Sequence, residues 1–288
     1  MRPLTRFKRR LTAAAAVAVA ATMLAACGGS DAGNTTAGSG AETAGGQIKT
    51  IKQGVLSVGT VSDAKPNAWI ENGQFKGFDL ELIKAIADKM GMKTEFRAIE
   101  FAALFPSVAG NKFDIGAASS AGTVERQKIV DFSEGYLVGY LGVLTKKDSG
   151  ITKDPKSTDG KRIGILQGSI QESYAKRDLP GATRVLFPDN NAGISALRSG
   201  RIDGYFLDYV VGEDYIKQFK NLAQPLSVPA FDLPAAFPIK KGNTALKDAV
   251  DKALVEVTED GTYLRLYKQY FPTVPVPKQL PPYELPKP

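Results

Sequence analysis

Two spacings of apolar residues alternate along the chain from residue 55 onward. The stretch 55–61, VLSVGTV, is rich in β-branched residues and predicts a buried strand. The stretch 78–91, FDLELIKAIADKMG, has a helical spacing and ends at a glycine, which is typical of a helix C-terminus. The stripe predicted to face the core consists of Phe78, Leu82, Ile83, Ile86 and Met90.

The alternation continues up to residue 146. Strands are predicted at 94–99, 113–119 and 136–146, with a short helix at 102–110 between the first two. Such alternation of strands and helices indicates an α/β fold built around a largely parallel sheet.

A second alternating set begins at residue 162. Strands are predicted at 162–168, 183–187 and 202–208. Ser169 and Glu172 have the spacing of a capping box that would open a helix after the first of these strands. A further helix is predicted over 190–200, with asparagine as its cap and Gly200 at its end.

The remaining pattern returns to one strand and two helices. A strand is predicted at 235–241 and a last short helix at 262–271, followed by a proline-rich, non-helical tail. Between them, 243–261 is predicted to be an amphipathic helix that buries Leu246, Val250, Leu254 and Val257. Two such sets joined by extended segments predict two α/β lobes. Ligands of these folds bind at the carboxyl ends of the strands.

The N-terminal segment has the organisation of an export signal. Five basic residues precede an apolar run over 11–26, which is shorter than the roughly 20 residues that span a bilayer. Leu24-Ala25-Ala26-Cys27 resembles the lipobox of bacterial lipoproteins, which implies cleavage before Cys27 and lipid attachment to its thiol. The alternative is a plain secretory signal with an incidental cysteine. Residues 27–46 are small and polar, and predict a flexible tether after the 1–26 signal peptide.

Composition narrows the chemistry further. The net charge of +7 comes mostly from the basic residues of the signal, so it gives no support for nucleic-acid binding. The chain has no histidine and one cysteine, which excludes Ser-His-Asp and Cys-His catalysis, histidine-ligated metals, cysteine-based zinc sites and internal disulfides. We therefore expect no metal, no cofactor and no phosphate-binding loop.

Six stretches between about residues 53 and 271 resemble family 3 extracellular solute-binding proteins, the polar amino acid receptors of ABC importers. They are GFDLELIKAIA, AALFPSVAGNKFDI, TVERQKIVDFSEGY, LQGSIQESY, LRSGRIDGYFLD and EDGTYLRLYKQYF. The resemblance implies a periplasmic-binding-protein-like fold of type II, in which two hinge strands join two α/β lobes. It implies lobe 1 over 47–137 and 235–275, lobe 2 over 142–226, hinges at 138–141 and 227–234, and a tail over 276–288.

The resemblance also implies a role for several residues. Arg126 of TVERQ matches the residue that binds the ligand α-carboxylate, and Asp208 of GYFLD matches the acid that binds the α-ammonium. An arginine suits a carboxylate because its planar fork donates two parallel hydrogen bonds. The alternative for Arg126 is a surface position at a helix start, where a cation is poorly placed for the helix dipole. The alternative for Asp208 is a turn at a strand end.

Several other positions complete the expected cradle. Ser119 and Ala121 lie on a strand end that would offer backbone groups to the ligand, although the family usually has Ser or Thr where Ala121 stands. Thr123 is expected to cap the helix that carries Arg126. Ser169 is expected at a helix start on lobe 2, and Ile170 replaces a position that is often Thr in the family.

Three further residues are candidates for contact with the ligand side chain. Phe101 and Trp69 match aromatics that cover it, with core packing as the alternative for each. Receptors of basic amino acids usually have Asp directly after the GT of the first strand, where this chain has Val61. Asp63 is then the candidate for a cationic side chain.

The sequence therefore predicts a substrate-binding lipoprotein of an ABC importer. It would be exported, and either anchored by lipid to the outer face of the cell membrane or periplasmic. It would be monomeric, and it would pass a small amino acid-like ligand to a permease without catalysis. One alternative is an enzyme like cyclohexadienyl dehydratase on the same scaffold, with Asp63, Glu100 or Asp208 as its acid. The other is a ligand-sensing receptor that signals through a separate membrane partner.

Overall fold

The computed structural model describes residues 48–287, so the predicted signal peptide, Cys27 and the tether lie outside the described residues. Within that range the strands, in chain order, are β1 (Val55–Thr60), β2 (Asp63–Ala64), β3 (Ala68–Glu71), β4 (Gln74–Lys76), β5 (Lys93–Ala98), β6 (Ile115–Gly116), β7 (Val130–Phe132), β8 (Tyr140–Lys146), β9 (Arg162–Leu166), β10 (Thr183–Phe187), β11 (Gly204–Asp208), β12 (Leu222–Pro229) and β13 (Pro238–Lys240).

The α-helices of the same range are α1 (Phe78–Lys89), α2 (Phe101–Ala109), α3 (Val124–Gln127), α4 (Gln171–Asp178), α5 (Asn190–Ser199), α6 (Tyr209–Gln218), α7 (Thr244–Glu259) and α8 (Thr262–Tyr270). A 3₁₀ helix covers Pro155–Thr158. No helix among the described residues has the length and apolar character needed to cross a membrane.

The strands form two five-stranded sheets and one small antiparallel sheet. The first large sheet has the order β5-β1-β6-β13-β7, and the second has the order β10-β9-β11-β8-β12. In the first sheet, β1 is parallel to its neighbours β5 and β6, and β13 is antiparallel to β6 and β7. In the second sheet, β9 is parallel to its neighbours β10 and β11, and β8 is antiparallel to β11 and β12. The chain passes between the sheets twice, between β7 and β8 and between β12 and β13. The fold is therefore the two-lobed, type II arrangement.

The core of lobe 1 forms where α1 packs against α7 and α8. The predicted α1 stripe is confirmed for Phe78, Leu82, Ile83 and Ile86, which are fully buried, whereas Met90 is partly exposed. The four inward residues predicted for α7 are also buried. The Phe78 ring lies 4.9 Å from the ring of Phe271, which ties α1 to the end of α8.

The sheet of lobe 2 is covered on both faces. Along β11, Phe206 packs into a cluster with Tyr174 of α4, while Tyr205 and Leu207 pack into a second cluster with α5 and α6. Successive side chains of a strand point to opposite faces, so near-continuous burial of β11 requires a layer of helices on each side. The carboxyl end of β11 is thereby fixed within lobe 2.

Two predicted helix caps are wrong. The cap of α5 is Asp189, whose Oδ1 accepts a hydrogen bond of 2.7 Å from the Ala192 N–H, and Asn190 is already helical. Ser169 does not cap α4, because the backbone is helical at Ile170 and the Ser169 hydroxyl has no hydrogen-bond partner within residues 48–287. Glu172 instead accepts a hydrogen bond of 2.6 Å from the Gly168 N–H. Asn190 and Ser169, which do not cap these helices, both line the cavity between the lobes.

Several elements are shorter than predicted or were not predicted. The strand expected at 113–119 is only β6, since the chain leaves the sheet before Ser119, where φ is 45°. The strand expected at 235–241 is only β13. Helix α6 and strand β12 were not predicted. Strand β12 contains Pro225 and Pro229, and prolines are tolerated there because β12 is an edge strand of its sheet.

The segment after α8 runs over lobe 1 without forming a helix. Tyr283 exchanges two backbone hydrogen bonds of 2.8 Å with Gly135. The Leu285 side chain lies against Gly122, where an added Cβ would come within 2.6 Å of it. The Pro286 carbonyl accepts a hydrogen bond of 2.7 Å from the Gln127 side chain. The tail therefore supports the segment that contains α3.

The lobe 1 core gives a direct test of this packing. We expect Ile83→Ala to lower the free energy of unfolding by about 2–5 kcal/mol, because Ile83 is fully buried and truncation leaves a cavity. Lys84→Ala, one residue along the same helix and exposed, should change it by less than about 0.5 kcal/mol. Urea unfolding followed by circular dichroism measures both, and equal effects would contradict the packing described.

Candidate functional site

A cavity of about 50 Å³ lies between the two lobes, where strand ends from both sheets meet. Six of the predicted site residues line it: Phe101, Ser119, Ala121, Arg126, Ser169 and Asp208. Lobe 1 contributes the first four and lobe 2 the last two. The structure thus brings together residues that are distant in sequence but all lie at strand ends or helix starts.

Arg126 lies in α3, and its position is fixed by several local contacts. Thr123 caps this helix, since its hydroxyl accepts a hydrogen bond of 3.3 Å from the Arg126 N–H, as predicted. The guanidinium lies 4.5 Å from the centre of the Phe105 ring and 5.4 Å from that of Phe101. These aromatic faces hold the cation and orient its planar fork.

The Arg126 guanidinium has carbonyl partners but no carboxylate partner. It donates hydrogen bonds of 2.8 Å to the Ala121 carbonyl and 2.9 Å to the Gly168 carbonyl. None of the ion pairs between described residues includes it. Desolvation lowers the pKa of Arg126 to about 10, so it stays charged at neutral pH. Donors of its fork remain available for an anion.

Asp208 ends β11 and precedes α6, with its carboxylate facing the same cavity. It accepts hydrogen bonds from Gln171 Nε2 at 2.9 Å and from Asn67 Nδ2 at 3.5 Å. Desolvation raises the pKa of Asp208 to about 6, although the Gln171 hydrogen bond lowers it. No cation of the described residues pairs with it.

Asp79 fixes the loop that carries Ser119, a role that sequence reasoning missed. Its Oδ2 accepts hydrogen bonds from both the Ser119 backbone N–H and the Ser119 hydroxyl. Ser119 has a positive φ, which is unusual for a residue other than glycine, and these two bonds hold it there. Asp79 is fully buried, and desolvation raises its pKa to about 7.

This contact changes what Ser119 can offer to a ligand. The prediction placed its backbone groups toward the ligand, but its N–H and its hydroxyl proton both point to Asp79. Only hydrogen-bond acceptors of Ser119 remain for the cavity. Ala121 adds no polar side chain, and Ile170 of lobe 2 lines the cavity with an apolar one. The neighbouring Ser169 has a buried hydroxyl without a partner.

Two predicted residues do not line this cavity. Trp69 lies on β3, where side chains alternate in direction, so Ala68 faces the cavity and Trp69 faces away. The Trp69 ring packs edge-on against Tyr270 at 6.1 Å. The Asp63 carboxylate accepts hydrogen bonds from Asn190 Nδ2 at 3.2 Å and from the Asn191 N–H at 3.0 Å. It therefore joins the lobes instead of facing a ligand.

Three polar residues of the cavity were not predicted: Asn67, Gln171 and Asn190. All three occur in or beside the loops at strand ends, where ligands of this fold bind. Their position in the sequence could therefore have indicated them, whereas their residue types did not. Asn67 is 2% exposed, and its Oδ1 has no hydrogen-bond partner among the residues that the structure describes. An unpaired buried oxygen of this kind is rare in folded proteins and requires an explanation.

The lobes are in contact around the cavity. Besides the contacts of Arg126 with Gly168 and of Asp63 with Asn190, Lys65 lies 3.8 Å from Asp214. A second cavity of about 320 Å³ adjoins the first on the side of the interlobe connections, and mostly apolar residues line it. Asp208 lies on the walls of both cavities.

This two-lobed fold, with a charged cavity between the lobes, is that of a solute-binding protein. A sequence profile described as bacterial extracellular solute-binding proteins, family 3, matches residues 56–273. The arginine-binding extracellular protein ArtP of Bacillus subtilis is 31% identical over 253 residues, which are 86% of this chain and 92% of that protein. The chain belongs to family 3 of the bacterial extracellular solute-binding proteins, which confirms the resemblance.

Solved structures agree with this assignment. An ancestral arginine-binding protein bound to arginine superposes with a TM-score of 0.72 and 32% identity, covering 76% of this chain and 99% of that one. An ancestral amino acid-binding protein, described as a precursor of cyclohexadienyl dehydratase, gives a TM-score of 0.68 and 33% identity, covering 76% and 95%.

The support that Asp79 gives to Ser119 can be tested by two substitutions. Asp79→Ala leaves the part-buried Ser119 N–H without its acceptor, so we expect a loss of about 1–3 kcal/mol in the free energy of unfolding. Asp79→Asn keeps an oxygen that can accept the same bonds and should lose much less. Chemical denaturation of both variants measures the difference, and an equal loss would show that the acceptor is unimportant.

Proposed function

We propose that this protein captures a free amino acid in the cavity between its lobes. The observation that carries this proposal is that Arg126 and Asp208 face one cavity as opposite charges, each without a charged partner among the described residues. A desolvated charge without a counterion is costly. An α-amino acid supplies both missing counterions, a carboxylate and an ammonium, on a single carbon.

Each end of the ligand has an assigned set of partners. The α-carboxylate binds the remaining donors of Arg126, with the Ser169 hydroxyl completing the contact from lobe 2. The α-ammonium binds Asp208, and its other protons go to the Asn67 Oδ1 and to acceptors of Ser119. The unpaired oxygens of Asn67 and Ser169 support this assignment, since a ligand gives each of them a partner. Phe101 covers one wall of the cavity.

Capture in this proposal requires closure of the lobes. Arg126, Ser119 and Phe101 belong to lobe 1, whereas Asp208 and Ser169 belong to lobe 2. A ligand shifts an equilibrium between open and closed states only through contacts that differ between them. Asp208 and Ser169 provide such contacts, because they meet a ligand held by lobe 1 only when the lobes approach.

The cellular context of the proposal is uptake. The protein is exported, anchored through a lipid on Cys27, and delivers its amino acid to an ABC permease. The small and polar composition of residues 27–46 supports this, because such a segment suits a tether between a lipid anchor and the lobes. Two or three acyl chains give a stable membrane anchor where one chain is marginal. The intact mass of the detergent-extracted protein would reveal the lipid, and an unmodified Cys27 would contradict this part.

Removing Arg126, the proposed partner of the ligand carboxylate, tests the binding mode. We expect Arg126→Ala to weaken amino acid binding roughly 100-fold or more, the range that follows loss of a buried charge partner. Arg201→Ala removes an exposed arginine of lobe 2 and should leave binding unchanged. Isothermal titration with a panel of amino acids measures both. Retained affinity in Arg126→Ala would contradict the assigned contact, and chemical conversion of a bound compound would favour the dehydratase-like alternative.

Asp208 makes binding dependent on pH. Because its pKa is raised to about 6, the carboxylate is ionised at pH 7.5 and mostly protonated at pH 5. Only the ionised form attracts an ammonium, so we expect affinity to fall about tenfold between pH 7.5 and 5. Asp208→Asn should bind weakly with little of this dependence. Asp79 titrates in the same interval, so titrations in an Asp79→Asn background isolate the effect of Asp208. Constant affinity across the interval would contradict this role.

A further inference from the structure

The charges around the site are few, and this limits the side chain that a ligand can carry. Among the described residues that line the 50 Å³ cavity, the charged ones are Arg126 and Asp208. In the proposed function, on which this inference rests, both are used by the α-carboxylate and the α-ammonium. No charged residue of this wall is then left for the side chain of the ligand.

The adjoining cavity of about 320 Å³ gives the same result. Of the described residues on its walls, Asp208 is the charged one, and it is shared with the first cavity. Much of the remaining wall is apolar, with Leu137, Leu141, Leu233 and Val274 among its residues. A side chain that turns toward the interlobe connections therefore meets no counterion either.

Two acids near the cavity, Asp63 and Asp79, are occupied by other contacts. The Asp63 carboxylate accepts hydrogen bonds from Asn190 and from the Asn191 N–H, and it does not line the cavity. Asp79 lies behind Ser119 and accepts both of its protons. At the position that follows β1, the wall is formed by the buried side chain of Val61.

Neutral polar groups remain available on the wall. Gln171 donates to Asp208 through its Nε2, and its Oε1 accepts no hydrogen bond from the described residues. Asn190 uses one amide proton for Asp63 and accepts from the Tyr205 hydroxyl, which leaves its second amide proton. One acceptor and one donor can thus satisfy an amide or hydroxyl, whereas an ionised side chain would be buried without a counterion at a large cost.

We propose that the site selects amino acids whose side chains carry no charge. The proposed ligands differ in side-chain charge from arginine, which is the ligand named for the related ArtP and for the ancestral arginine-binding protein. The distinction lies in the residues of the cavity wall. Val61 is one of them, and its apolar side chain lines the cavity directly after β1, where the resemblance would place an acid in a receptor of basic amino acids.

Pairs of amino acids with nearly the same shape but different charge test the proposal. The pairs are citrulline with arginine, glutamine with glutamate, and asparagine with aspartate, each titrated calorimetrically at pH 7.5. Wherever at least one member of a pair binds, we expect the uncharged member to bind at least tenfold more tightly than the charged one. A charged member that binds as tightly as its uncharged counterpart, or more tightly, would overturn the proposal.

A variant locates the source of the selectivity. Val61→Asp adds one carboxylate to the wall, so we expect it to raise the affinity for arginine relative to citrulline by tenfold or more. Val61→Asn, of the same shape without the charge, should not. An unchanged ratio in Val61→Asp would overturn the role of Val61. Circular dichroism of both variants verifies folding.

The outcomes also separate this inference from the proposed function. Binding of arginine that is as tight as that of citrulline, and is lost in Arg126→Ala, would support the amino acid site and overturn the selection for uncharged side chains. Absence of binding by any of the six compounds and by the other standard amino acids would overturn both.

Discussion

The candidate site depends on two opposite charges, neither of which has a charged partner among residues 48–287. Arg126 and Asp208 lie on different lobes and face one cavity, and each carries a desolvated charge that polar contacts only partly satisfy. A direct ion pair between them would close the site to any ligand. The aromatic rings that hold Arg126 and the glutamine that holds Asp208 keep them apart and oriented. Lobe 1 thus fixes the position of Arg126, and lobe 2 fixes the position of Asp208.

The accuracy of the site depends on residues behind the cavity wall. Asp79 lies on α1, a helix that otherwise belongs to the core of lobe 1, and it holds Ser119 in an unusual backbone conformation. Packing of α1 against α7 and α8 is therefore transmitted to the cavity through one carboxylate. In lobe 2, the two-sided burial of β11 similarly fixes the position of Asp208. Stability and binding geometry share these elements.

The sequence predicted the two-lobed fold and both charged residues of the cavity, because periodicity and strand-end position are local properties. It failed where the outcome depends on tertiary contacts. Trp69 and Ala68 are adjacent, and only the orientation of a short strand decides that Ala68 faces the cavity. Asp63 is satisfied by Asn190, a partner 127 residues away. The role of Asp79 did have a signal in the sequence. Asp79 lies three and four residues before Leu82 and Ile83, and so falls on the apolar stripe of α1, where a polar residue is unexpected.

The C-terminal tail has a practical consequence. Tyr283, Leu285 and Pro286 contact Gly135, Gly122 and Gln127, so the last residues of the chain buttress the short helix that presents Arg126. A purification tag, a reporter or a surface linkage placed directly after residue 288 would therefore exert its load close to Arg126. Biosensors made from this chain should carry their fluorophores elsewhere, for example on the exposed face of α7.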